Sequence, residues 1–61
     1  MTQIASVERD HLLRMAAVYD QEALIYRYRL DNAETASFYE TAATSYRVVA
    51  ERWQRSIDGA K

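Results

Sequence analysis

The apolar stripe of this chain changes sides at Asp31-Asn32, and no other feature constrains the fold as strongly. In the first half, Leu12, Ala16, Tyr19, Ala23, Tyr26 and Leu30 recur at spacings of three and four. In the second half, Tyr39, Ala43, Tyr46, Ala50, Trp53 and Ile57 repeat the pattern. Both are helical periods. Carried through the junction at ~100° per residue, the second stripe falls on nearly the opposite side of the helix from the first. A straight rod would present two opposed apolar faces, whereas a hairpin lets the two stripes meet. The residues at the junction favour the turn, because Asp and Asn bond local backbone rather than sit inside a helix. Asp31 followed by Glu34 fits a capping box, and Asn32 followed by Thr35 is a weaker version of it.

Nothing else in the chain forbids helix before its last few residues. There is no Pro, the single Gly is Gly59, and good helix formers dominate. Period-two alternation, the mark of strands, is missing. The expected fold is therefore all-α, a single domain over residues 1–61. It is an antiparallel hairpin of two long helices, about residues 6–30 and 33–57, with a turn at about 31–33. Ser6 is the expected first cap, with Thr2 as an earlier alternative. Asp58-Gly59 is the expected stop, since Gly readily takes a left-handed conformation after a helix.

Along both stripes a large residue alternates with Ala. Alanine at every seventh position lets two backbones approach closely while the rings fill the layers between. Aromatic stripes at this spacing are ordinarily core. The second helix has a clean polar side in Glu40, Thr44, Arg47, Glu51, Arg55 and Asp58. The first does not. Ile4, Val7, His11, Val18 and Ile25 flank its main stripe, and Leu13, Ala17, Leu24 and Tyr28 lie on its back. A helix apolar nearly all round is buried nearly all round, and one partner helix covers only one stripe. The expected interface residues are thus Ile4, Val7, Leu13, Val18, Leu24, Ile25 and Tyr28. A homodimer of hairpins forming a four-helix bundle satisfies them most simply, with a larger protein partner as the other solution.

Composition agrees that help from outside is needed. A 61-residue chain buries only ~60% of the surface its unfolded form exposes. With no Cys, disulfides and thiolate metal sites are excluded. No apolar run approaches a membrane span, and Met1-Thr-Gln-Ile does not open a targeting segment, so the expectation is a cytoplasmic protein with no membrane partner. The net charge of −1 does not advertise a polyanion partner.

Two constellations carry possible chemistry. Arg27, Tyr28 and Arg29 could hold phosphate and stack on a base. The segment Leu30-Asp31-Asn32-Ala33-Glu34, in a chain of this length and hairpin form, resembles the turn of the Rop family of plasmid RNA-binding proteins. That resemblance implies a hairpin dimer that binds nucleic acid. The competing expectation is that the arginines form pairs four residues apart on a solvated face, as Glu51 and Arg55 would. Glu8-Arg-Asp-His11 places a carboxylate and an imidazole on one helical face, with Glu22 about three turns further on. In this respect it is similar to the ferritin-like motif, which implies iron, manganese or zinc held by Glu8, His11 and Glu22 from two facing first helices. The competing expectation pairs Glu22 with Arg29 or His11. No phosphate loop or nucleophile frame is recognisable. The favoured expectation is a non-catalytic interaction module without a cofactor.

Overall fold

The computed structural model describes residues 2–59. Helix α1 spans Thr2–Leu24, a π-helical turn continues it through Ile25–Arg29, and α2 spans Ala33–Gly59. The two helices pack along each other as a hairpin 46 × 13 × 10 Å in extent. The junction turns where the change in stripe phase requires it.

Alanine makes the seam. Ala5, Ala16 and Ala23 of α1 and Ala36, Ala43 and Ala50 of α2 are all buried, with Ala36 and Ala43 fully so. Among the described residues, the one larger member of the buried set is Ile57, at 9% exposure. A methyl group is the shortest side chain that still packs, so the backbones lie close and every larger side chain is displaced to the flanks of the seam. Burying alanine methyls removes little apolar surface, because the stabilisation follows area at roughly 25 cal/mol per Å². The seam therefore fixes geometry better than it stabilises.

The turn departs from expectation in three ways. The Leu30 N–H donates to the Ile25 carbonyl at 3.1 Å, five residues back, and the Asn32 N–H reaches the Tyr26 carbonyl at 2.8 Å. This widened turn rotates Leu30 off the stripe, leaving it 58% exposed rather than in the core. Second, Asp31 takes a left-handed conformation at φ 50°. It is the residue that reverses the chain, a conformation short polar side chains tolerate best after Gly. Third, the cap is Asn32 and not Asp31: its Oδ1 accepts the Thr35 N–H at 3.1 Å. A residue already committed to the left-handed turn cannot also serve the next helix as its cap.

The ends differ as well. Ser6 lies inside α1, which is already running from Thr2, so it caps nothing. The alternative cap, the Thr2 side chain, lies outside the described residues. Helix α2 continues through Gly59, whose φ is not positive, so the left-handed stop is not used there.

Replacing Asn32 with Ala is expected to cost about 1 kcal/mol by loss of the cap, whereas Asp31→Gly, which suits a positive φ, should cause no loss. Chemical denaturation of the two variants checks this. Ala43→Leu forces bulk into a fully closed seam and is expected to cost about 1–3 kcal/mol, read as a lower thermal midpoint.

Candidate interaction faces

Because alanine methyl groups fill most of the space between the helices, the side chains beside the seam decide its two sides. At ~100° per residue, Tyr19 and Asp20 fall on opposite sides of the Ala16–Ala23 line, and Tyr46 and Arg47 on opposite sides of the Ala43–Ala50 line. One side is aromatic and the other is ionic.

The aromatic side is a continuous ladder. Tyr26 and Tyr39 stack at 5.3 Å between centroids, Tyr39 and Tyr19 at 5.6 Å, and Tyr19 and Tyr46 at 5.3 Å. The rungs alternate between helices, so each ring is held by rings of the opposite helix. Such pairs contribute about 0.5–1.5 kcal/mol each beyond area. All four rings are half-buried rather than closed off. Phe38 meets the Tyr39 edge at 5.6 Å and an interplanar angle of 82°, while remaining 68% exposed.

The ionic side consists of three polar rungs. Arg47 donates to both oxygens of Asp20, at 2.6 and 3.3 Å. Arg27 pairs with Glu40, and Arg9 donates to the Gln54 Oε1 at 2.7 Å while pairing with Asp10 beside it. These side chains are partly solvated, and exposed pairs of this kind contribute only ~0–1 kcal/mol. Their value is register, since each rung ties one position of α1 to one position of α2. The sequence pattern missed these rungs because the partners lie far apart in the chain. The pairs expected within a helix or on one face are not formed among the described residues: neither Glu51 with Arg55, nor Glu22 with Arg29 or His11, makes an ion pair.

The expected interface residues are spread over both flanks and the back of the first helix and its π-helical turn. Leu13 lines a groove of about 220 Å³ with Arg9, Arg47 and Gln54, on the ionic side. Leu24 and Tyr28 border Asp20, Arg27 and Glu40, on that side too. Ile4 and Val18 fall by helical phase toward the aromatic side, whereas Val7 and Ile25 lie nearly opposite the seam, and Ile25 lines a groove with Leu24 and Tyr28. Ile4, Val7 and Val18 are exposed at 61, 57 and 53%, and Ile25 is half-buried. Phe38 and Val49 of α2 fall on the aromatic side too, outside the single stripe of α2. The available signal was that Val49 lies three residues after Tyr46 and four before Trp53, and that Phe38 lies four before Ala42.

The other two constellations are only partly assembled within one chain. Arg27 is occupied by Glu40, while Tyr28 and Arg29 are exposed in the π-helical turn. Glu8 and His11 are exposed and Glu22 is half-buried. Among the described residues, no group of three or more His, Asp or Glu side chains could hold a metal ion. No described helix is long and apolar enough to cross a membrane.

The ladder has an electrostatic consequence. The Tyr46 hydroxyl beside it raises the Tyr19 phenol above its ordinary value, first through hydrogen bonding and then by repulsion between the ionised forms. Tyr39 is raised chiefly by Tyr26, with desolvation and the Glu22 carboxylate adding to it. A pKa higher in the folded state means this contribution is complete below the unfolded value near 10 and is lost as pH rises through the higher folded value. Helicity should therefore fall on titration above about pH 10. A variant carrying both Tyr19→Phe and Tyr39→Phe should keep its helicity further into alkali, as read by circular dichroism.

The chain matches no protein-family model, no curated protein and no solved structure.

Proposed function

We propose that this chain is a small non-catalytic interaction module whose hairpin completes its core only by association. The observation that carries the reading is the alanine core. Among the described residues, six of the seven that are buried are Ala, while Ile4, Val7, Val18, Leu24, Tyr28 and Phe38 are each more than half exposed. Apolar burial on this scale offsets little of the chain entropy, which costs about 1–2 kcal/mol per ordered residue. The accessible surface is 4655 Å², against roughly 4,100 Å² for a compact chain of this mass. Such a hairpin gains most by covering its exposed stripes, and a module of this kind acts by what it binds. Regulator, inhibitor, accessory subunit and assembly factor are the roles open to it.

The nucleic-acid and metal readings gain no such support. The basic residue at the centre of the first, Arg27, is neutralised by Glu40, and Asp20 lies close by. The second needs residues from two chains.

The test is the helicity of the isolated chain over a wide dilution series. Helix content that falls on dilution, or that is low throughout and rises only with a partner, is the expected outcome. A chain that stays fully helical and monomeric at every concentration, with a cooperative thermal transition, would overturn the proposal.

A further inference from the structure

We infer that the occupant of the aromatic side is a second copy of this chain, packed face to face on the tyrosine ladder, and that the ionic side is left outside this contact. The inference rests on the interaction-module reading and specifies its partner and its surface.

Shape comes first. The radius of gyration is 14.0 Å, whereas a compact chain of this length has about 10–11 Å. A compact protein of twice the length has about 14 Å. The hairpin is thus already as long as a finished bundle and lacks only thickness. Two hairpins closing into a body of ordinary compactness would bury about 2,500 Å² in total, within the range of stable homodimers.

The character of the two sides decides which one closes. By helical phase the aromatic side presents Ile4 and Val18 from α1 and Phe38, Ala42 and Val49 from α2 beside the tyrosines, so both helices contribute to one long apolar surface. Two carboxylates of α1 lie on this side, Glu22, which is half-buried, and Glu8, which is exposed beside Ile4 and Val7 near the open end of the hairpin. On the ionic side, Leu13 and Leu24 of α1, Tyr28 of the π-helical turn and Val48 of α2 are scattered, and the first three are interrupted by Arg9, Asp20, Arg27, Glu40 and Arg47. Those charges are already paired within the chain, and taking them out of water would cost more than their mutual attraction returns. A partner for the aromatic side must itself offer a long, apolar, charge-poor face two helices wide. A second copy has that face by construction, and a two-fold contact is self-complementary.

Two cysteine variants test this without loading the interface with charge, since the chain has no Cys of its own. Val18 and Leu24 are similarly exposed in the single hairpin, at 53 and 57%, but lie on opposite sides. Val18→Cys and Leu24→Cys are each treated with a maleimide, with mass measured by light scattering and rates normalised to those in denaturant. The expected result is a mass of two chains, with Cys at position 18 reacting at least about tenfold more slowly than Cys at position 24. A dimer with equal or reversed rates would overturn the choice of face while leaving self-association intact. A poorly helical single chain at every concentration would overturn the second copy as occupant but not the interaction module. A helical, stable single chain would overturn both.

Discussion

Close approach of two backbones across a line of alanine methyls is the constraint on which the rest of this structure depends. Ala16 and Ala23 of α1 and Ala36, Ala43 and Ala50 of α2 are buried where the helices pack, and among the described residues Ile57 is the one larger side chain buried with them. What would be core in a wider hairpin is pushed to its edges, where the tyrosines form a ladder on one side and the arginines form rungs on the other. Neither edge closes over itself. The exposed apolar flanks follow from the narrowness of the seam.

The two edges divide the labour. The ionic edge sets register, because Asp20–Arg47 and Arg27–Glu40 each join fixed positions of the two helices. It adds little stability, since these side chains remain partly in water. The aromatic edge holds the larger energy. Its three stacked tyrosine pairs are half-covered, and the apolar residues around them stay exposed in a single chain. Order and incompleteness thus occur on the same face. A preorganised apolar surface loses little entropy when it is covered, which favours binding there.

Much of this was legible in the residues, and the failures have local causes. The helical periods, the turn at Asp31-Asn32 and the alanine seam all follow from spacing. The π-helical turn does not, because Ile25–Arg29 carries no signal that separates it from ordinary helix; it moved Leu30 from the stripe to the surface. The cap shifted by one residue, from Asp31 to Asn32, because a single backbone reversal had to be accommodated first. Phe38 and Val49 fall outside the one stripe of α2, although helical phase places both on the aromatic flank. On the first helix, phase already distinguishes a flank of Ile4, Val7, Val18 and Ile25 from a back of Leu13, Leu24 and Tyr28.

The sequence by itself determined that the chain is helical, that it reverses once, and that alanine lies where its helices meet, since period and phase are properties of spacing alone. Tertiary structure decided which residues of α2 stand beside each set of the first helix. Phe38 and Val49 fall on the side of Ile4 and Val18, while Leu13, Leu24 and Tyr28 lie among the ion pairs. The physical reason is that a helix carries its side chains on all sides, and only the partner helix, fixed in rotation and register by the seam and its polar rungs, divides them into two faces.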